Sequence, residues 1–145
     1  MPETGRPSGY VLTFDYGLKR IGVAVGQTLT GTATPLQIVA HGREPDWPAI
    51  DRLVREWKPA ILLVGLPLGP EGDETDMSRA ARAFGATLGE RYGIPLDYMD
   101  ERLTSRDAEA RFVEGRASGA LRRKDSSQLD AIAAQLICEN WLRSR

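Results

Sequence analysis

The pattern of apolar and polar positions divides the chain into alternating strands and helices. Three runs rich in β-forming residues come first, at residues 10–15, 21–26 and 33–39. Because only a short turn links the first two, these strands must be antiparallel, and the chain opens with a β-meander. Apolar residues at helical spacing then predict a helix that begins after Asp46 and ends before Pro59.

The remaining pattern is that of strand–helix units. Residues 60–65 are a continuous apolar run of strand length, typical of a strand buried on both faces. A polar loop and a second helix follow, and residues 95–100 form the fifth strand. Further helices are predicted at about residues 105–113 and 127–142. Three antiparallel strands followed by two βα crossovers give a mixed five-stranded sheet flanked by helices, the layout of an RNase H-like α/β fold.

Length and composition fit one ordinary domain. The 145 residues are 41% apolar and 27% charged, which excludes a disordered chain, a collagen-like chain and a disulfide scaffold. Residues 1–9 are polar and rich in Pro and Gly, so we expect a flexible extension there and one domain over residues 10–145. The longest apolar run is too short to span a membrane. Cys138 lies in an apolar helical pattern typical of a buried core residue, and we expect a soluble, cytoplasmic protein.

Three acidic residues stand out by their positions. Asp15 ends the first strand directly before a tight turn, Glu101 follows the fifth strand, and Asp130 lies in the first turns of the last helix. Ligands bind at such strand ends in α/β sheets, and small alanines after Asp130 let that helix approach the sheet closely. Converging carboxylates repel one another unless a hard cation such as Mg²⁺ or Mn²⁺ lies among them. Two such ions hydrolyse phosphodiesters, so the pattern indicates a metal-dependent phosphodiesterase.

Each acid also has a purely structural interpretation. Asp15 can cap the turn that follows it, and Asp130 can close a capping box with the serine three residues before it. Glu101 can pair on the surface with Arg102 or Arg106. Composition and periodicity leave both interpretations open.

Four motifs in a fixed order favour the chemical interpretation. The chain carries DYGLKRIGVAVG at residues 15–26, VGLPL at 64–68, DERLTS at 100–105, and Lys124 followed by DAIAA and LI within 130–137. Together they resemble the YqgF family, also known as RuvX-type, from about residue 10 to residue 142. One Asp-x-Gly motif would be weak evidence, whereas the ordered set is specific.

The resemblance implies both a fold and an activity. It implies an RNase H-like fold related to RuvC-type Holliday-junction resolvases, and a Mg²⁺- or Mn²⁺-dependent nuclease in 5′-end maturation of pre-16S rRNA; some members are described instead as resolvases of branched DNA. Asp15, Glu101 and Asp130 match the family's acidic positions and are the implied catalytic residues and metal ligands. Gln27 stands where an acid often follows the glycine, so no auxiliary ligand is expected there. RuvC-type enzymes take an acid from the fourth strand, where the matching segment of this chain offers only Gly65 and Pro67, so the resemblance implies that Glu101 takes that place.

Basic residues supply the other half of a nucleic-acid site. Residues 101–124 contain seven bases and four acids, whereas residues 44–76 contain three bases and eight acids. The net charge of -1 therefore averages two opposite segments and does not exclude a nucleic-acid partner. We expect phosphate contacts from basic residues beside Asp15 and in the C-terminal half: Lys19, Arg20, Arg102, Arg106, Arg122, Arg123 and Lys124.

Three functional hypotheses follow. The first is a metal-dependent nuclease acting on structured RNA, and the second is a branched-DNA resolvase with the same acids, which needs a dimer for paired cuts. The third is a non-catalytic ribosome-assembly module. An actin-like ATPase is set aside because we expect no second domain. We expect a monomer or weak homodimer, and interpret His41 as a surface loop residue, the acids of residues 71–76 as a solvated loop, and the tryptophans as core.

Overall fold

The computed structural model describes residues 9–102 and 129–144. The first eight residues of the expected extension and the helix predicted at about residues 105–113 lie outside these ranges. Four expected phosphate-binding residues also lie outside them: Arg106, Arg122, Arg123 and Lys124. Within the described ranges the elements are β1 Tyr10–Asp15, β2 Arg20–Gln27, β3 Thr32–Ala40, α1 Trp47–Trp57, β4 Ile61–Leu66, α2 Asp76–Tyr92, β5 Leu96–Asp100 and α3 Leu129–Arg143.

The strands of the described residues form one mixed sheet in the order β3-β2-β1-β4-β5. β1, β2 and β3 pair antiparallel, whereas β1 pairs with β4, and β4 with β5, in parallel. The predicted meander and the two crossover units are therefore confirmed. Pro35 lies in β3, next to the register shift between Val23 and Ala24, and it is tolerated because β3 is an edge strand.

Local signals set the ends of the first two helices. Asp46 caps α1, since its carboxylate accepts a hydrogen bond from the backbone N–H of Ala49 at 3.2 Å. At α2 a capping box joins Thr75 and Ser78, each side chain bonding the other's backbone N–H. Gly93 ends α2 in the left-handed conformation, with φ of 65°. These boundaries agree with the predicted ones to within a few residues.

Each face of the sheet has its own core. Alternate strand residues point to opposite faces, so Leu12 and Phe14 pack with α1 and α2, while Val11 packs with α3. Every residue of β4 is buried, as predicted for a strand covered on both sides. On α3, Cys138 and Trp141 are buried, which confirms their assignment to the core. No helix of the described residues is long and apolar enough to cross a membrane.

Helix α3 approaches the sheet closely because three glycines lie beneath it. A methyl group on Gly22 would collide with the backbone of Asp130, and one on Gly26 with Sγ of Cys138. A methyl group on Gly65 would lie 2.6 Å from Cδ1 of Ile137. The sequence predicted a close approach from the alanines of α3, but the glycines of the strands contribute to it as well. The strand glycines bring the first turn of α3 down to the sheet.

Candidate functional site

Asp15 and Glu101 meet across the end of β4. Asp15 ends β1 and Glu101 follows β5, and both side chains are half-buried. The backbone N–H of Glu101 donates to the carbonyl of Leu66 at 2.9 Å, which continues the pairing of β5 with β4. Between them lies Gly65, where a methyl group would come 2.6 Å from Oε2 of Glu101. Because Gly65 has no side chain, Glu101 reaches over β4, and its carboxyl group hydrogen-bonds that of Asp15.

The contact changes the acid strength of both groups. Burial raises the pKa of Asp15 well above its usual value, and the charge of Glu101, the hydrogen bond that the Asp15 carboxyl donates to Glu101 and the charge of Asp130 raise it further. Burial also raises the pKa of Glu101, the charges of Asp100 and Asp130 add to this, and only the hydrogen bond to Asp15 lowers it. Two partly buried carboxyl groups in contact resist carrying two negative charges, which is why the pKa of each is raised.

Asp130 completes the group of acids. It lies in the first turn of α3, directly above Gly22 of β2, and its charge acts on both Asp15 and Glu101. Its Oδ2 accepts a hydrogen bond from Nε of Arg20 at 3.2 Å. The structure therefore brings together the three acids that the sequence selected from three separate elements, and it adds an arginine that holds one of them.

The expected phosphate-binding residues have different surroundings. Lys19 is exposed in the turn after Asp15, whereas Arg20 is already paired with an acid of the site. Arg102 binds Asp100 through Nε at 2.8 Å and Nη2 at 2.6 Å, and its Nη1 donates to the carbonyl of Pro70 at 3.1 Å. Of the two surface partners considered for Glu101, Arg102 pairs with Asp100 instead, and Arg106 lies outside the described residues.

A groove leads away from the carboxyl pair. It encloses about 410 Å³ and is lined by Pro67, Leu68, Pro70, Glu101 and Arg102. The loop that forms its apolar wall is held by Arg102, which ties it to the end of β5. The groove was not predicted from the sequence, although the proline of the VGLPL motif and Pro70 of the following loop both line it.

The structure also describes the surroundings of the acidic loop and of His41. The acidic loop is solvated as predicted, since Glu74 pairs with Arg82 at 2.8 Å and the fully exposed Asp76 with Arg79. His41 is half-buried rather than a simple surface residue. Its Nδ1 bonds the carbonyl of Gly17 at 2.8 Å, which supports the turn that follows Asp15. Nothing in the sequence pattern pointed to this contact.

The three acids carry the ligand atoms that a divalent cation prefers, but their carboxylates are not gathered around a single position. Carboxylate oxygens are the ligands that Mg²⁺ and Mn²⁺ prefer. Repulsion between neighbouring acids contributes to the raised pKa values of Asp15 and Glu101, and a bound cation would offset that repulsion. Within residues 9–102 and 129–144, however, no group of three or more His, Cys, Asp or Glu side chains is arranged to hold a metal ion. Asp15 and Glu101 are in contact, while Asp130 is turned to Arg20.

The mixed sheet and its layers define an RNase H-like α/β protein, and solved structures share this fold. Thermus thermophilus RuvC in complex with a Holliday junction substrate superposes with a TM-score of 0.53 at 20% identity, covering 94% of this chain and 95% of that one. The fowlpox virus Holliday junction resolvase gives a TM-score of 0.55 at 14% identity, covering 94% and 99%. At such identities the likeness establishes the fold alone.

The sequence places the chain in one family. The model of the RuvX family, described as Holliday junction resolvase, matches residues 9–144, and the chain belongs to this family. Two relatives bear the name "Putative pre-16S rRNA nuclease". The one from Xanthomonas euvesicatoria pv. vesicatoria is 46% identical over 145 residues, covering 98% of this chain and 94% of its own. The one from Aeromonas hydrophila is 45% identical over 136 residues, covering 93% and 95%. The resemblance inferred from the four motifs is confirmed.

Proposed function

We propose that this protein is a divalent-metal-dependent nuclease that cleaves structured RNA, with the 5′ end of pre-16S rRNA as its substrate. The observation that carries the proposal is the contact between Asp15 and Glu101 at the strand ends, with the charge of Asp130 beside them. A buried pair of acids costs stability, so its presence favours a functional role. The names of the relatives supply the substrate class.

The acids of the site would hold the cation, Mg²⁺ or Mn²⁺. Asp15 and Glu101 would supply the first ligands and Asp130 the remaining one. A bound ion supplies a Lewis acid that activates water and stabilises the leaving oxygen of a phosphodiester. Carboxyl groups bind a cation in their ionised form, and the pKa of Asp15 and that of Glu101 are both raised, so the site should bind cations more tightly as the pH rises.

The other residues of the site would bind and orient the RNA. The apolar wall of the groove, formed by Pro67, Leu68 and Pro70, would contact a sugar or base and exclude water beside Glu101. The exposed ammonium of Lys19 would contact a backbone phosphate. The basic residues outside the described ranges, Arg106, Arg122, Arg123 and Lys124, stay predicted phosphate contacts.

One comparison tests the proposal. Wild type and Asp15→Asn are incubated with a precursor 16S rRNA leader and with a four-way DNA junction, each with Mg²⁺, Mn²⁺ or a chelator. We expect cleavage of the RNA only with metal, and a loss of at least about 100-fold in Asp15→Asn. Because the substitution removes one of two buried acids in contact, its thermal midpoint should equal or exceed that of wild type.

Asp76→Asn is the matched control, since Asp76 is fully exposed and outside the site. It should cleave like wild type. Full activity in Asp15→Asn would contradict the mechanism. Cutting of the junction but not of the RNA would favour the resolvase, which the description of the family also names. Binding of RNA without cleavage under any metal condition would favour a ribosome-assembly module.

A further inference from the structure

We propose that Arg20 is a positioning residue that competes with the divalent cation for Asp130, so that the cation site is complete only when this ion pair opens. The inference rests on the proposed metal-dependent function and concerns how its site is assembled. It accounts for the position of Asp130, whose charge acts on Asp15 and Glu101 but whose carboxylate pairs with Arg20 instead of joining them around one point.

The backbone places Arg20 and Asp130 side by side. Arg20 is the first residue of β2, and Gly22, two positions along the same strand, lies directly under the backbone of Asp130. Alternate strand residues share a face, so Arg20 and Gly22 both point towards α3. The close approach at Gly22 therefore brings Nε of Arg20 to 3.2 Å from Oδ2 of Asp130, across 110 positions of sequence.

The charges around the site indicate how the ion pair between Arg20 and Asp130 affects cation binding. Three acids lie together there, and Arg20 pairs with the one that has no hydrogen bond to the carboxyl pair. The side chains of Arg20 and Asp130 are 53% and 35% exposed, so the pair is partly solvated and weak enough to open. A cation that takes Oδ2 of Asp130 as a ligand would displace the guanidinium, and a cation bound through the other oxygen would still be repelled by its charge. Removal of the guanidinium should thus tighten cation binding.

Metal binding without nucleic acid tests this competition. Isothermal titration of Mn²⁺ into the full-length protein compares wild type with Arg20→Gln and with Arg52→Gln. Arg52 is an exposed arginine of α1, which packs on the opposite face of the sheet from α3. We expect Arg20→Gln to lower the Kd for Mn²⁺ about fivefold, as for the loss of one partly exposed ion pair. Arg52→Gln should change the Kd less than about twofold, because exposed charges far from the site are screened.

A double variant identifies Asp130 as the group for which they compete. If Arg20 acts through Asp130, the substitution Arg20→Gln should leave the Kd unchanged in an Asp130→Asn background. An unchanged or raised Kd in Arg20→Gln alone would overturn the inference, and so would an equal gain in both backgrounds or the absence of Mn²⁺ binding in every variant. Circular dichroism and thermal midpoints confirm that each variant is folded.

The proposed function and this inference fail in different ways. Metal-dependent cleavage of the RNA by wild type, together with an unchanged Kd in Arg20→Gln, would leave the function standing and overturn the competition. The expected pattern of Kd values without cleavage of the RNA would support the competition and overturn the proposed function.

Discussion

One methyl group at Gly22 would test how the fold positions Asp130. Gly22 lies in β2 under the first turn of α3, and the β-carbon of an alanine there would collide with the carbonyl carbon and oxygen of Asp130. It would also come 2.9 Å from the backbone nitrogen of Ala131. Because all three are backbone atoms, no side-chain rotation can make room. In Gly22→Ala the first turn of α3 must therefore move away from the sheet.

The size of this movement sets the expected effects. Cβ atoms in proteins essentially never come within 3.0 Å of such neighbours, so the backbone of Asp130 must withdraw on the order of 1 Å. An extra methyl group in a well-packed contact costs about 1–3 kcal/mol of unfolding free energy. A displacement of about 1 Å in a catalytic group can lower the rate about 100-fold. Gly22→Ala should thus lose far more activity than its loss of stability explains.

Gly26→Ala is the matched control. Gly26 lies on the same face of β2, but its methyl group would meet side chains farther along α3, those of Cys138 and Leu142. Urea unfolding measures the stability of both variants, and single-turnover cleavage of the precursor RNA with saturating Mn²⁺ measures activity well below their midpoints. We expect both variants to lose stability, Gly26→Ala no more than Gly22→Ala because side chains can move aside, and the loss of rate of about 100-fold only in Gly22→Ala. Activity of Gly22→Ala within about threefold of wild type, or an equal loss in Gly26→Ala, would refute the reasoning.

Two further predictions concern the wall of the groove and the ion pair between Asp51 of α1 and Arg91 of α2. Arg102→Ala removes the tie between Asp100 and the loop that forms the wall, so steady-state kinetics should show KM for the RNA about 3- to 10-fold higher with kcat little changed; an unchanged KM would show that the wall stands without it. Hydrogen bonding to Arg91 lowers the pKa of Asp51 to about 2, so the contribution of Asp51 to stability is complete above its usual value near 4 and lost as the pH falls towards 2. Asp51→Asn should therefore lose about 0.5–1 kcal/mol in urea unfolding at pH 7 and less at pH 3, and a pH-independent loss would contradict an ionic origin.

The site was predictable as a set of residues but not as an arrangement. Strand ends and the ordered motifs selected Asp15, Glu101 and Asp130, whose charges act on one another in the structure, while their roles stay predictions. Their partners were not predictable, because a charged side chain takes whichever opposite charge the fold brings nearest. Arg102 accordingly pairs with Asp100 rather than Glu101, and Arg20 with Asp130.

The amino-acid sequence by itself determined the order and type of the described elements. Periods of two and of 3.6 residues are local properties, as are the caps at Asp46 and Gly93, so strands, helices and the mixed topology followed from them. Only the tertiary structure decided what the strand glycines do. Whether Gly22 or Gly65 weakens a strand or admits a neighbour depends on which element packs above it, and that neighbour comes from a distant part of the chain. The glycines admit α3 and Glu101, and this close approach is the physical reason that acids from three separate elements lie near one another.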